Sequence, residues 1–299
     1  MDLKKAGLIT LSILLAFLAS GCVLGRTGEL KTLRFGITSN FDSFPIAVAF
    51  KAGFFGGNIK IVRYETAKEC NKALEDREID GCVTDIFSSI IKIDRGYDIK
   101  ITASTNTTYS LVADSKFVSK AELERERIAI CRNEQPVVYV YETMLSNVCS
   151  NLNTVSFLNS MQCCEMLLNG DVAAAILPEP FASQTLMSGC VRLDSTDNLK
   201  LGAIIFYDSV IKNNKTGYKR FISALKRLET LSANENREDI LMSAAEYLAL
   251  PQNCSLYTKC DYSAFELPKV NLIVYANQYL YKNKEIGDIY PYDKVVLEV

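Results

Sequence analysis

From residue 33 onward, short apolar runs alternate with longer stretches whose apolar positions recur at helical spacing. Leu33-Arg34-Phe35-Gly36-Ile37 reads as a strand and Thr38-Ser39-Asn40 as the turn after it. Asp42 or Ser43 can cap a helix with Pro45 in its first turn, apolar positions at Ile46, Ala49 and Phe50, and Gly53 at its end. Ile59 to Tyr64 is a second strand, followed by a helix from Thr66 to Leu74. Gly81 to Thr84 is a third strand, and Asp85 starts a helix that runs to Ile93. Ile99 to Ala103 is a fourth strand. Such β-α-β-α-β alternation predicts a parallel or mostly parallel sheet with helices on both faces.

A polar patch, Ser104 to Thr108, breaks the pattern, and a similar unit follows. Its strands are Ile128–Cys131, Val155–Leu158 and Val172–Leu177. Its helices are Pro136–Val148, Met161–Leu168 and Glu179–Met187. Gly202 to Tyr207 is extended again and can lead back to the first unit. Lys215–Leu231, Arg237–Leu248 and Pro268–Lys282 are helical in period. The two units share one corner. Asp85-Ile86-Phe87-Ser88-Ser89 lies over Glu179-Pro180-Phe181-Ala182-Ser183, an acid at the end of an apolar strand entering a helix. In open α/β sheets ligands bind beyond such strand ends, where helix N-termini offer free N–H groups. Two such units joined by crossing strands would face each other across a cleft and close on a hinge.

Composition narrows the function. The chain has 299 residues, too many for one small core, with 48% apolar and 23% charged residues. A net charge of −2 gives no footprint for nucleic acid. There is no histidine, which removes Ser-His-Asp and Cys-His catalysis and the commonest metal ligand together. No CxxC occurs among the ten cysteines, so neither a metal site nor a cofactor is expected. Setting Cys22 aside leaves an odd number of cysteines. Cys82 and Cys131 lie in apolar runs and read as small core residues. Cys163 and Cys164 are adjacent, a spacing that rarely bridges, whereas Cys254 and Cys260 are close enough to pair across a loop. Mostly free, buried thiols are expected.

The N-terminus carries a targeting pattern. Lys4 and Lys5 precede an apolar segment from Ala6 to Ala19. As a helix it would span roughly 21 Å, short of the ~30 Å hydrocarbon core, so it reads as a signal peptide rather than a span. The segment ends in Leu18-Ala19-Ser20-Gly21-Cys22, which resembles the lipobox of bacterial lipoproteins. That resemblance implies cleavage before Cys22, which becomes the new N-terminus and carries lipid. The expected organisation is a signal peptide over 1–21, a tether over 22–32, one lobe from 33–105 plus 206–299, and a second lobe from 106–205.

Taken in order, the blocks resemble the substrate-binding proteins of ABC importers, in the branch that handles nitrate, alkylsulfonates, taurine and thiamine-pyrimidine precursors. Leu33 to Ile37 with Pro45, Ala49, Gly53 and Phe54-Phe55 matches the first strand and helix of that branch. Ala73-Leu74, Glu78-Ile79-Asp80 and Thr84-Asp85 match its second block, Leu168 to Ala174 with Glu179-Pro180 its third. Lys219-Arg220-Phe221 with Ala224-Leu225 matches its C-terminal helix. The resemblance implies a type II periplasmic-binding-protein fold: two α/β lobes with the ligand cleft between them. It also implies an extracytoplasmic protein on the cell membrane that works as a monomer and hands a small molecule to a permease and its ATPase. The branch's one enzymatic relative, a pyrimidine-forming protein, depends on a histidine that this chain lacks.

Every candidate ligand contact has a second, purely structural reading. Ser39 and Asn40 could donate to a ligand or only form a turn. Thr66 is also an obvious helix cap. Thr84 and Asp85 sit at the first corner, where an acid at a helix start is stabilising by itself. Asn133 and Gln135, with Glu134, replace the small-polar loop usual in the family. Asn106 and Tyr109 lie on the crossing segment. Phe41 is a stacking candidate. Glu179, held between Pro178 and Pro180, could accept hydrogen bonds from an amine or merely cap. Asp85, Glu134 and Glu179 outnumber the nearby cations Arg132 and Lys68, so the expected ligand is a neutral or cationic heterocycle or amine. The rival readings are a sensory binding module and an enzyme using the cleft carboxylates.

Overall fold

The computed structural model describes residues 31–105, 108–132, 135–144, 153–196, 199–251 and 266–297. The elements of the first unit are β1 (Leu33–Thr38), α1 (Phe44–Lys51), β2 (Ile59–Tyr64), α2 (Ala67–Glu75), β3 (Gly81–Asp85), α3 (Ile86–Asp94) and β4 (Ile99–Thr105). The second holds β5 (Tyr109–Ala113), β6 (Arg127–Cys131), α4 (Gln135–Met144), β7 (Asn153–Phe157), α5 (Ser160–Leu168), β8 (Ala174–Pro178), α6 (Phe181–Met187) and β9 (Val191–Ser195). The chain then returns through β10 (Gly202–Tyr207) to α7 (Asp208–Asn213), α8 (Lys215–Lys226), α9 (Arg237–Tyr247), α10 (Val270–Lys282) and α11 (Tyr292–Val295).

The strands form two five-stranded sheets, ordered β2-β1-β3-β10-β4 and β7-β6-β8-β5-β9. The two orders match position by position. In each, four strands run in one direction, and the antiparallel fourth place is filled by a strand entering from a crossing: β10 in the first sheet, β5 in the second. β3 and β8 are therefore equivalent, and so are the corners that follow them. β10 belongs whole to the first sheet, from Gly202 on.

Local sequence explains the element ends. Thr66 caps α2 in a capping box: its hydroxyl accepts from Glu69 N and the Glu69 carboxylate accepts from Thr66 N, each at 3.1 Å. Asn40 caps the 3₁₀ turn Phe41–Ser43 by accepting from Ser43 N. That turn, and not Asp42 or Ser43 as a side-chain cap, leads into α1. Pro180 stands at the N-cap of α6, one place before the first-turn position expected for it. The peptide bond before it is cis. The long helix expected over 215–231 breaks at Arg227, where a 3₁₀ segment takes over.

Apolar residues form two cores. One covers a single face of the first sheet and joins Phe35, Ile37 and Phe206 to α1, α8 and α9. The other starts on the opposite face, with Cys82, Ile101 and Ile205, and continues without a break through the second sheet. Among the described residues the buried apolar ones lie between Leu33 and Val296, and Thr32–Val299 is one compact unit. A chain starting at Thr32 therefore carries both cores. Cys82 and Cys131 are fully buried in the second core, as expected for small core residues, and Cys163 and Cys164 are also buried. Cys254, Cys260 and Cys22 lie outside the described residues. Among the described residues no helix is long and apolar enough to cross a membrane.

Candidate functional site

The two corners flank the same crossing. Across the first sheet, Asp85 is in register with Gly202 and Gly202 with Thr105. Across the second, Pro178 is in register with Tyr109. Thr105 and Tyr109 are the ends of the β4–β5 crossing. Each corner is also tied to crossing backbone: Ile86 N donates to Leu201 O at 2.9 Å, and Glu179 N to Thr108 O at 3.2 Å. The return crossing is fixed by a reciprocal pair, Tyr109 N to Thr196 Oγ1 at 2.8 Å and Thr196 N to Tyr109 O at 2.9 Å.

At the first corner Asp85 is the N-cap of α3. Its Oδ1 accepts from Ser88 N at 2.8 Å and its Oδ2 from Ser88 Oγ at 2.6 Å. Burial pushes its pKa above the ordinary carboxylate value, and the two bonds from Ser88 pull it partly back. The helix-capping reading thus accounts for one lone pair on each oxygen. Thr84, one residue earlier, is half-buried in a row with Ala203 and Ser104.

The second corner carries a cation that the sequence reading missed. Glu179 is 6% exposed. Its Oε2 accepts from Ser183 N at 3.1 Å, and its Oε1 meets Arg192 Nη2 at 3.3 Å. Arg192 comes from β9, a strand that the apolar pattern did not reveal. Its alternation, Val191-Arg192-Leu193-Asp194-Ser195, was the available signal. With Arg192 counted, Asp85, Glu134 and Glu179 no longer outnumber the cations, and the Lys92 charge also acts on Asp85 at the first corner.

Beyond β1, the loop Thr38–Ser43 is held by its own side chains. Ser43 Oγ accepts from Thr38 N at 3.1 Å, and Asn40 Oδ1 accepts from Ser43 N at 3.0 Å. Ser39 Oγ is buried with no hydrogen-bond partner among the described residues. Two more buried hydroxyls in the same state, Ser104 and Ser110, stand next to the two ends of the crossing. A buried hydroxyl left unpaired costs about 1–3 kcal/mol, so such groups call for an occupant, solute or water.

The remaining candidates are spread out. Thr66 is exposed and engaged in its capping box. The Phe41 ring stacks on Phe44 at 5.4 Å. Tyr109 is buried in the second core. Gln135 is half-buried in the first turn of α4, at the strand end equivalent to Ser39. Asn106, Asn133 and Glu134 lie outside the described residues.

Two further features were not read from the sequence. Phe87 in α3 meets Tyr139 in α4 at 5.0 Å, and Tyr139 meets Tyr275 and Tyr279 of α10 edge-on at 5.7 and 5.2 Å. This aromatic group links first-sheet helices to a second-sheet helix beside the Asp85 corner. The other feature is at Gly202. A Cβ there would come within 2.6 Å of Asp42 Cγ and closer still to Thr105 Oγ1, whose hydroxyl donates to Asp42. Only glycine lets β10 pass this buried Asp42–Thr105 pair. Among the described residues no cluster of His, Cys, Asp or Glu is arranged to hold a metal.

No family model matches the chain, and no curated protein matches it in sequence. Solved structures do match its fold. The periplasmic aliphatic sulphonate binding protein SsuA from Escherichia coli aligns at TM-score 0.71 with 13% identity, over 89% of this chain and 97% of that one. The periplasmic nitrate-binding protein NrtA from Synechocystis PCC 6803 aligns at 0.60 with 15% identity, over 75% and 68%. A Candida albicans gene product with the generic periplasmic binding protein fold aligns at 0.61 with 14% identity, over 87% and 92%. The fold is that of the periplasmic binding proteins: two α/β lobes, mixed in strand direction and equivalent in order.

Proposed function

We propose that this chain is the extracytoplasmic solute-capture subunit of an ABC importer. It binds one small molecule between the β3 and β8 corners and presents it to a membrane permease driven by an ATPase. The observation that carries this reading is the convergence of both helix-starting corners on one crossing, with the unpaired Ser39 hydroxyl at the neighbouring strand end. The likeness in fold to binding components of import systems supports it. The chain works as a monomer held by lipid on Cys22 after removal of residues 1–21, with the sheet of β1–β4 and β10 in one lobe and the sheet of β5–β9 in the other.

The chemistry at the corners selects a ligand with donor groups. Asp85 has acceptor capacity left after Ser88, and Ser39 can donate or accept. Glu179 is balanced by Arg192 and serves to fix the second corner. A neutral or cationic nitrogen heterocycle or amine suits this set better than a small oxyanion. We read the site as one that binds its ligand and releases it unchanged, a reading supported by the likeness in fold to binding components of import systems.

A thermal-shift screen of residues 32–299 tests the reading. A solute at a hundred times its dissociation constant adds about 2.7 kcal/mol of stability. We expect stabilisation by at least one nitrogenous solute that Ser39→Ala and Asp85→Ala both weaken. Stabilisation by solutes that ignores both substitutions would place the site elsewhere.

A further inference from the structure

Far from the crossing, at the opposite end of β1, a cavity of about 410 Å³ opens between the loop Gly53–Asn58 and helix α8. Leu33 N donates to Asn58 O at 2.9 Å, so this loop lies at the start of β1, whereas Ser39 follows its end. A six-residue strand separates them, roughly 20 Å.

We propose that this cavity is a second binding site, one that takes a phosphate group. Arg220, Ser223, Ala224 and Arg227 line it from one stripe of α8 and the turn after it, at spacings of three, four and seven. The Arg227 guanidinium lies 4.2 Å over the Phe54 ring, which fixes its plane. Neither arginine has an acidic partner among the described residues, whereas Arg34 pairs with Asp80, Arg63 with Glu65 and Arg192 with Glu179. From Lys215 to Arg227 there are five cationic residues, Lys215, Lys219, Arg220, Lys226 and Arg227, and no acid.

The opposite wall supplies donors. The N–H groups of Gly56 and Gly57 form no hydrogen bond among the described residues. Gly56 has φ of +70°, and a Cβ on Gly57 would meet nothing within 4 Å. Packing does not demand glycine at 57, and the bare backbone there is open to close approach by a ligand. Two guanidinium forks and two unbonded backbone N–H groups around one cavity match the charge of a phosphate, which they would hold through charge-assisted hydrogen bonds.

The phosphate can belong to a soluble ester or to a lipid headgroup. The chain enters its folded body at Leu33, beside this cavity, so a tether would hold the cavity near the membrane surface. That last link rests on the lipid anchor proposed above; the phosphate chemistry does not.

The test uses residues 32–299 in two arms. Calorimetry measures inorganic phosphate and glycerol 3-phosphate, and co-sedimentation compares phosphatidylglycerol with phosphatidylcholine vesicles. We expect binding in at least one arm, weakened by salt and reduced at least tenfold in Arg220→Ala/Arg227→Ala and in Arg220→Glu, with thermal midpoints unchanged. Stabilisation by the cleft solute stays as in the unsubstituted chain. Binding of free phosphate identifies a soluble ester, and binding of phosphatidylglycerol vesicles alone identifies a headgroup. No binding in either arm, or equal binding by the variants, overturns the proposal. Failure of the cleft-solute screen leaves this outcome readable, since the probes differ.

Discussion

At the scale of single residues, the two corner acids look alike in sequence and differ in environment. Asp85 caps a helix while half-buried, and its raised pKa means that its ionised form is penalised in the folded chain. The stability this group contributes is fully present below its unfolded pKa of about 4 and is lost as pH rises through the higher folded value. Asp85→Asn keeps a capping side chain and removes the charge, so we expect it to match or exceed the unsubstituted chain in urea midpoint at pH 7–8. Asp85→Ala loses the cap and should cost about 0.5–2 kcal/mol in the same measurement. Glu179 is instead compensated by Arg192. Arg192→Ala leaves a buried carboxylate without its cation and should cost about 1–3 kcal/mol, the solvent-exposed side of the arginine limiting the loss; Glu179→Gln in the same background should recover most of it. The acids themselves were legible because they end apolar runs. The arginine was not, since it reaches its partner from a strand thirteen residues on, and only the pairing of β9 with β5 brings it there.

At the scale of elements, strands flanked by glycine or by strong helix caps could be read from the chain: β2 and β10 have the predicted bounds. β5 could not. Tyr109-Ser110-Leu111-Val112-Ala113 is buried at every position, so it has no alternation, and it follows a polar patch that reads as a linker. Yet β5 is what converts a parallel layer into the mixed sheet and brings the crossing to the β8 corner. β4 also runs on through Ser104 and Thr105, polar residues that the pattern assigns to a loop. Their place in the sheet depends on β10 passing at Gly202. Gly202→Ala forces a Cβ into the Asp42–Thr105 pair, and we expect a loss of about 1–3 kcal/mol or more, read as a drop in urea midpoint. The aromatic contact between α3, α4 and α10 was equally hidden, because Phe87, Tyr139 and Tyr279 are far apart in sequence. Tyr139→Ala should cost about 3 kcal/mol.

At the scale of the whole molecule, two equivalent sheets are joined through a crossing that both helix-starting corners touch. One apolar core runs through both sheets, and the β4–β5 and β9–β10 connections are the crossings between them. A solute seated at the corners should reduce hydrogen exchange at Ile86–Ser88 and Phe181–Ser183 together, although these segments belong to different sheets. The most direct test of the central claim is a crystal structure of residues 32–299 with the most stabilising solute from the screen. The account predicts that solute between the β3 and β8 corners, with a hydrogen bond to Ser39 Oγ and a donor group facing Asp85. A solute bound on an outer face, or a space between the corners filled by side chains alone, would contradict it.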